Sequence, residues 1–228
     1  MPETHRIPLF PLGVVLLPGM ALPLHIFEER YKLMISECIE EDKPFGIVLF
    51  DGEQLYTVGC MARVTEVTKR YEDGRMDILT RGGQRFLAQK VFSEKSYMEA
   101  YVSFFEDSDD SSDDELKRLF DSAMELLGEL PEQDRLSEVM HLSAQSSPAQ
   151  LSFSIAALED FSASEKQRFL EMTSTAERIK KGVESLARIL ERARLTIEIS
   201  GIIGGNGSPP KRLLDLLSAQ KPDKPQSG

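Results

Sequence analysis

The fold of this chain is most constrained by an apolar run near its start, IPLFPLGVVLLPGMALPLHIFEER, which covers residues 7–30. The run is interrupted by Pro8, Pro11, Pro18 and Pro23. Each proline lacks a backbone donor and clashes with the preceding helical turn, so the run cannot form one continuous helix. A bilayer span, which needs about 20 consecutive helical residues, is excluded for the same reason. We predict a kinked, extended segment that is buried in a sheet and leads into a helix near Phe27.

A cleaved signal peptide is the alternative interpretation of this run. Its positive region would be His5 and Arg6, and its apolar region would extend from Ile7 to Leu17. The prolines and the weak positive charge both argue against a signal peptide. If the segment were removed, the later strands would lose a partner, so we assign it to the fold.

Composition limits the class of protein and the partners it can bind. The chain has 228 residues and 41% hydrophobic content, enough for a real core in one large domain or two modest ones. Its formal net charge of -11 repels phosphate backbones, so nucleic acid is an unfavoured partner. Cys38 and Cys60 cannot form the disulfide framework of a small secreted domain, and both have apolar neighbours. We predict a globular, cytoplasmic protein.

One helix and one buried strand are predicted directly after the apolar run. Residues 27–42 have the spacing of an amphipathic helix. Its apolar face consists of Phe27, Tyr31, Met34, Ile35, Cys38 and Ile39. The continuous apolar run Phe45–Phe50 predicts a strand that is covered on both faces.

Further strands follow at short intervals. Residues 55–69 alternate with the period of a strand, and Gly74 can take the positive φ of a hairpin turn after it. The partner strand is predicted at residues 76–80, and a break at Arg81-Gly82-Gly83-Gln84 is predicted to end it. Two more strands are predicted at 85–92 and 97–105. Short strands at this spacing indicate a small barrel or sandwich.

The second half of the chain has helical periodicity. It begins after EDSDDSSDDE, residues 106–115, which we predict to be a solvated linker whose last acids favour the positive end of the next helix dipole. Helices are predicted at 116–130, at 148–158, after a cap at Ser162 or Ser164, and at 175–199, where Lys and Arg occupy the face opposite the apolar one.

Regular structure is predicted to end at Gly201–Pro210, followed by one short amphipathic turn at Lys211–Leu217 and a disordered tail. The predicted domains are therefore a β-rich part at 1–105, an acidic linker at 106–115, a helical bundle at 116–200 and a flexible tail at 201–228.

Motifs that carry chemistry are missing or incomplete. The glycine-rich stretch GIIGGNGS, residues 201–208, lacks the lysine of a phosphate-binding loop and is followed by prolines. His5, His25 and His141 are far apart, without cysteines or carboxylates at a metal-ligand spacing. Cys38 lies on an apolar helix face, where burial raises a thiol pKa. We predict no catalytic, cofactor-binding or metal-binding residue.

The acidic run offers many carboxylates in one solvated environment. Hydrolytic acid and base groups need environments that separate their pKa values, which this run does not provide. We predict a spacer, with a cation site or phosphorylation among Ser108, Ser111 and Ser112 as the alternative.

Three arginines form the candidate binding surface. Arg63, Arg81 and Arg85 fall on or beside predicted strands, so we expect them to cluster on the outside of the barrel. Guanidinium groups in such a cluster can hold carboxylates or a peptide backbone. An ordinary solvated face with ion pairs is the alternative, and it is the one we favour.

An ordered series of motifs resembles the N-terminal substrate-binding domain of ATP-dependent Lon proteases. Its first part consists of Ile7-Pro-Leu-Phe-Pro-Leu-Gly, Leu17-Pro-Gly, Leu22-Pro-Leu-His-Ile-Phe-Glu-Glu-Arg-Tyr, Val58-Gly-Cys-Met-Ala, Asp73-Gly-Arg and Gly83-Gln-Arg-Phe. Its helical part consists of Ser164-Glu-Lys-Gln-Arg-Phe-Leu-Glu and Glu177-Arg-Ile. The resemblance extends from about Arg6 to Glu191.

This resemblance implies an α+β fold, with an N-terminal PUA-like β pseudo-barrel that contains one early helix and a C-terminal α-helical bundle. It implies scaffold roles, in shaping the backbone or in packing, for Pro11, Gly13, Pro18, Gly19, Pro23, Phe27, Arg30, Tyr31, Gly59, Gly74, Gly83 and Phe86. It assigns no catalytic residue, because the sequence contains neither a Walker motif nor the Ser-Lys peptidase domain of that family.

The function implied is recognition. In Lon proteases this domain is associated with recognising unfolded or tagged proteins and with oligomer assembly. We expect a stand-alone, non-enzymatic module that binds unfolded or partly folded proteins or peptides, in quality control or as an adaptor, with an ATP-dependent protease as a further partner and no membrane. The alternatives are an RNA-binding PUA-like protein, which the net charge disfavours, and a small-molecule enzyme, which needs a convergent polar site.

Overall fold

A computed structural model describes residues 3–108, 111–129, 146–158 and 161–204, and in it the opening apolar run forms two strands. These are β1 (His5–Leu12) and β2 (Ala21–Ile26), and the loop between them buries Val15, Leu16 and Leu17. The prediction of a kinked, extended and buried segment is confirmed. The remaining elements are α1 (Glu29–Glu40), β3 (Phe45–Phe50), β4 (Leu55–Arg70), β5 (Met76–Phe92), β6 (Met98–Phe105), α2 (Asp113–Glu129), α3 (Pro148–Ala157), α4 (Ala163–Glu171) and α5 (Thr175–Gly204).

Five strands close into a barrel in the order β5-β4-β3-β1-β6, because β5 pairs with β4 on one edge and with β6 on the other. β1 and β3 are parallel, and the other recorded pairs are antiparallel. All five strands contribute to the barrel interior, which contains Ile7, Leu9, Val48, Met61, Phe86, Ala88, Ala100 and Val102. The predicted α+β class, with a β barrel, one early helix and later helices, is confirmed.

The barrel continues into a smaller three-stranded sheet on one side. β2 pairs with residues 76–81 of β5, on the edge that β6 occupies farther along the same strand. On the opposite edge, residues 63–70 of β4 pair with the same part of β5, beyond the last pairing of β4 with β3 at Ala62. We call this sheet the ribbon; it consists of residues 21–26, 63–70 and 76–81.

β5 runs without interruption through the position where a break was predicted, so the predicted break at Arg81-Gly82-Gly83-Gln84 is wrong. The glycine at position 82 has a packing role instead. A Cβ placed there would lie 2.1 Å from the carbonyl oxygen of Leu17, so only glycine lets the β1–β2 loop approach the strand. The amide of Gly82 donates to Met20 O, and its carbonyl accepts from Gly19 N, both at 2.9 Å.

α1 packs with the apolar face that its periodicity predicts, except at one residue. Tyr31, Met34, Ile35 and Cys38 are buried, and the ring of Tyr31 stacks on Phe10 at 4.0 Å between centroids. Phe27 was predicted on this face but is 59% exposed. The helix begins only at Glu29, so Phe27 lies in the extended segment before it and stacks on His25 instead.

The helices of the second half start and stop at identifiable caps. α2 begins at Asp113 with three acids in its first turn, inside the predicted linker. Both α3 and α4 begin with a capping box, and the one at α4 uses Ser162 with Glu165, which decides between the two predicted caps. α5 continues to Gly204, past the predicted helix end at Ile199.

A buried ionic network links the strands to these helices. Arg178 of α5 donates to both carboxylate oxygens of Asp107, and Arg85 of β5 donates to Asp107 Oδ1 at 2.5 Å. Both arginines are buried, Arg178 completely. Both arginines also donate to carbonyls at the end of α4, Leu170 O and Met172 O, where the helix dipole is negative, and Arg178 donates to the hydroxyls of Ser152 and Thr175.

This network corrects two predictions. Asp107 falls in the stretch predicted as a solvated linker, and Arg178 belongs to the Lys and Arg residues predicted on the face of the last helix opposite the apolar one. Burial acts to raise the pKa of Asp107, but the hydrogen bonds from Arg178 and Thr175 and the two cationic charges outweigh it, so its pKa lies below its usual range. These charged groups can be buried because each of them has an oppositely charged partner in the network.

The chain divides into two compact units, Met1–Leu186 and Ala187–Gly228, so that α5 contributes to both. The elements and contacts described above belong to the first unit, apart from the second part of α5. His141, the predicted helix end at Leu130 and the predicted turn Lys211–Leu217 lie outside the described residues. The predicted domain boundaries stay a prediction. Across the described ranges, no helix is long and apolar enough to cross a membrane.

Candidate functional site on the open face of the ribbon

The ribbon has one buried and one open face. Strand alternation places Ile26, Met76, Ile78 and Thr80 on the buried face. The opposite face, which we call the open face, carries residues that are exposed or half-buried. The pairing register arranges it in three rows across β2, β5 and β4: Ala21, Arg81 and Arg63; Pro23, Leu79 and Glu66; His25, Asp77 and Lys69.

Two of the three arginines that were predicted to form a binding surface lie together in the first row. Arg63 and Arg81 are directly opposite each other on β4 and β5, and both are exposed. Arg81 Nη1 donates to Gly19 O at 2.9 Å. Arg63 Nη1 donates to the backbone oxygen and to the carboxylate of Asp42, at 3.0 and 2.5 Å. Each guanidinium is thus fixed by a backbone carbonyl while most of its N–H donors stay available.

Arg85 does not join this pair, so the predicted cluster of three surface arginines is wrong at that position. Its exposure is 5%, and its guanidinium stacks over Phe105 at 4.6 Å while it bonds Asp107. Burial lowers the pKa of Arg85, although an arginine still remains protonated. Arg85 therefore holds the fold together and offers no surface for a ligand.

An aromatic and polar cluster forms the third row. His25 Nδ1 lies 2.5 Å from Asp77 Oδ1, and Tyr71 donates from its hydroxyl to Asp77 Oδ2 at 2.8 Å. The hydrogen bond from His25, followed by that from Tyr71, holds the pKa of Asp77 below its usual value. Phe27 stacks on His25 at 5.9 Å and is itself open to solvent. The side chains at this end of the open face therefore hold one another in place but remain accessible to solvent.

Both edge strands of the ribbon have features that disfavour pairing with an added strand. β2 has Pro23 at its centre, which removes a backbone donor. In β4 the register shifts on either side of Glu66, and the two extra residues are Thr65 and Thr68. Their hydroxyls donate to the carbonyls of β5. Because prolines and bulges interrupt a regular ladder, a partner meets the open face more readily than the edges.

Two small clefts flank the C-terminal end of α1. One, of about 180 Å³, is lined by α1 and the β4 edge and includes Cys38, Ile39, Arg63 and Val67. The other, of about 190 Å³, contains Glu37, to which Lys95 and Tyr97 donate at 2.7 and 2.5 Å. Both are below the roughly 300 Å³ at which small-molecule sites begin. The polar groups of the second cleft bond to each other.

The cysteines have the inert environment that the sequence predicted. Cys38 and Cys60 are both buried as free thiols. Desolvation is the main cause that raises the pKa of Cys38 to about 11 and that of Cys60 to about 12. In the described parts of the chain, no three His, Cys, Asp or Glu side chains are grouped so as to hold a metal ion.

The scaffold residues named from the resemblance occupy positions with geometric demands. Gly19 and Gly74 have φ of +78° and +82°, where a side chain would be strained. Gly59 lies against Phe86, the central ring of the barrel, since a Cβ there would come 2.5 Å from that ring. Pro11 and Pro23 lie within β1 and β2, Gly13 and Pro18 in the loop between them, and Arg30 over the ring of Tyr31.

Sequence reasoning missed Asp107, Arg178 and the cluster around His25. The alternation of β2 and of the β4–β5 hairpin contained the signal for the last of these, because it places His25, Asp77 and Lys69 on one face. No local signal marks Asp107 among its acidic neighbours, since its partner lies 71 residues away.

The fold described above is a β barrel with a protruding sheet and a helical second half. Comparisons with known proteins identify the family that has this fold. The sequence profile of the ATP-dependent protease La (LON) substrate-binding domain matches residues 6–188. The chain belongs to this family.

Relatives agree in sequence and in structure. Lon protease 2 of Myxococcus xanthus is 28% identical over an alignment of 240 positions, which covers 97% of this chain and 28% of that protein. The chain thus spans little more than a quarter of that protein. The crystal structure of a Lon N-terminal domain protein from Xanthomonas campestris matches with a TM-score of 0.61 and 25% identity, over 78% of this chain and 96% of that one. The N-terminal domain of Mycobacterium avium complex Lon protease shares the fold at 18% identity, with a TM-score of 0.66 over 80% of this chain and 98% of that one.

Proposed function

We propose that the chain is a non-enzymatic module that binds unfolded or partly folded polypeptide segments and that the open face of the ribbon receives them. Membership of a substrate-binding domain family supports binding as the class of function. The observation that carries the location is the nine-residue open face. It combines apolar contact area with polar groups held in place, and none of its residues is buried.

The arrangement of the open face suits a polypeptide better than a small molecule. It is broad and shallow, whereas the clefts beside α1 are small, and the polar groups of the second cleft already bond each other. Pro23 and Leu79 supply apolar area in the middle row, and polar groups flank it in the rows on either side. An extended segment lying along the strands would contact all three rows.

We further propose that the module works in protein quality control or as an adaptor, with an ATP-dependent protease as its partner. The Lon protease 2 of Myxococcus xanthus, which the chain matches over 28% of that protein, supports this role. A cytoplasmic location fits the two buried cysteines, which are free thiols.

The test is retention of a permanently unfolded, fluorescently labelled model protein by the immobilised chain, with the folded form of the same protein as the control. We expect the unfolded form to bind and the folded form not to bind. Leu79→Asp places a charge in the centre of the open face and should abolish binding. Leu87→Asp is the matched control, because Leu87 is on the same strand, 41% exposed, and outside the ribbon.

If the unfolded protein is not retained, the proposed function is wrong. If Leu79→Asp and Leu87→Asp weaken binding equally, or neither weakens it, binding takes place elsewhere and the assignment to the open face is wrong. Circular dichroism and an unfolding curve for each variant establish that the fold is retained.

A further inference from the structure

We propose that the open face selects the free C-terminal end of a polypeptide, with Arg63 and Arg81 holding its terminal carboxylate. This inference rests on the proposed function, since it names the kind of segment that the same face takes. It begins with the first row, where two cations lie directly opposite each other on paired strands. Like charges in that arrangement destabilise a sheet unless an anion lies between or beside them.

The two arginines are only partly neutralised. Asp42 pairs with Arg63, whereas the recorded partner of Arg81 is the neutral carbonyl of Gly19. A guanidinium has five N–H donors. Arg81 uses one of them and Arg63 uses two, both on Nη1. The donors that remain are on side chains already fixed by backbone carbonyls, so a carboxylate can be bound with little loss of side-chain freedom.

The charges elsewhere on the face favour one terminal carboxylate over an acidic stretch. Glu66 lies in the middle row, the charges of Asp77 and Lys69 balance in the third, and the chain as a whole has a net charge of -11. Beyond the arginine pair, a segment with several acids would therefore meet Glu66 and the negative field of the whole chain. A segment with one negative charge at its end places that charge on the first row and keeps its remaining length uncharged.

The distance from the arginine row to the apolar middle row matches the spacing of side chains in an extended segment. Successive rows are two residues apart, which is about 7 Å along a strand. A polypeptide whose carboxylate lies on the first row therefore has its last side chains over Pro23 and Leu79. The occupant is thus an extended C-terminal end with apolar final residues.

The experiment measures fluorescence polarisation of three labelled hexapeptides with the full chain. The first ends in two leucines with a free carboxylate, the second has the same sequence with a C-terminal amide, and the third is the amide with a glutamate in place of the residue before the leucines. We expect the free acid to bind about tenfold more tightly than either amide, because a charge-assisted hydrogen bond contributes about that factor. Raising salt from about 50 to about 300 mM should reduce the difference.

Variants assign the effect to the arginine pair. Arg81→Gln should remove the preference for the free acid, Arg63→Gln should reduce it, and Arg81→Lys should retain part of it. Lys90→Gln is the control, since Lys90 is an exposed cation of the same strand that pairs with Tyr101 in the barrel. It should leave the preference unchanged.

Each outcome separates this inference from the proposed function. Equal binding of acid and amide by the natural chain overturns the inference and leaves peptide binding intact, and that comparison needs no variant to fold. Equal binding of the glutamate peptide and the free acid shows an acidic segment as the occupant and also overturns it. If no peptide and no unfolded protein binds, the proposed function itself fails.

Discussion

Arg178 donates hydrogen bonds to both carboxylate oxygens of Asp107, a residue 71 positions earlier in the chain. The carboxylate also accepts from Arg85, so one acid serves two buried cations. The arginines are further stabilised by the carbonyls at the end of α4 and by the ring of Phe153. One aspartate therefore supplies the counter-charge for both buried arginines at the junction of the barrel and the helices.

We expect Asp107→Asn to lower the free energy of unfolding by about 3 kcal/mol, because it leaves buried arginines without their counter-charge. Urea unfolding followed by circular dichroism measures the change. Glu94→Gln is the matched control, since its ion pair with Arg6 is on the surface and should contribute little. Equal effects of the two substitutions would contradict the central role of Asp107.

The same carboxylate predicts an acid dependence of stability. The pKa of Asp107 is lowered in the folded chain, so its contribution is complete above its ordinary pKa of about 3.9 and is lost as the pH falls through the folded value. The difference in stability between the natural chain and Asp107→Asn should therefore be largest near neutral pH and shrink below about pH 4. Unfolding curves at pH 7, 4 and 3 test this; a constant difference would count against it.

Two adjacent glycines should differ in how much the same substitution destabilises the fold. Gly82→Ala brings a Cβ against the backbone of Leu17 and should cost roughly 1–3 kcal/mol through overpacking. Gly83→Ala meets Met61 only at 3.6 Å, an ordinary contact, and should change stability by less than about 0.5 kcal/mol. Thermal unfolding of both variants checks the pair. Similar effects would mean that the loop does not approach β5 as described.

The α4 cap provides a third test of the structure. Ser162→Ala removes the side chain that accepts from Glu165 N and should cost about 1 kcal/mol. Ser164→Ala, two positions later and inside the helix, is the control and should cost less. If Ser164→Ala is the more damaging of the two, the helix begins at the other serine.

Thiol reactivity provides the last test. With pKa values raised to about 11 and about 12, Cys38 and Cys60 have very little thiolate at pH 7 and are shielded from reagents. We expect neither to react with a disulfide reagent in the folded chain over minutes and both to react in denaturant. Rapid labelling of the folded chain would show that one of the two core regions opens.

The sequence predicted the elements whose cause is local. Prolines divided the opening run, Gly74 marked its turn, and helical periodicity placed the buried face of α1. What it missed depends on distant partners. Gly82 looked like a strand breaker because the loop that it accommodates is 65 residues earlier, at Leu17. Phe27 matched the helical spacing, but the helix begins two residues later.

The candidate site could be predicted only in part for the same reason. The arginines at 63 and 81 were selected from their strand positions, which were approximately right. Whether they face each other depends on the register of β4 against β5, and the bulges at Thr65 and Thr68 shift that register by two residues. Arg85 follows at the same alternation as Arg81 and yet is covered, because the segment after β6 brings Asp107 to it, α4 a backbone carbonyl and α3 the ring of Phe153.

The uninterrupted course of β5 has a mechanical consequence. One 17-residue strand is at the same time the middle of the ribbon and a wall of the barrel, and β4 accompanies it through both. A pull on a segment held at the open face is therefore transmitted along the strand into the barrel instead of bending a hinge. If the open face holds a polypeptide as we propose, tension on that polypeptide is expected to pass along β4 and β5 into the barrel.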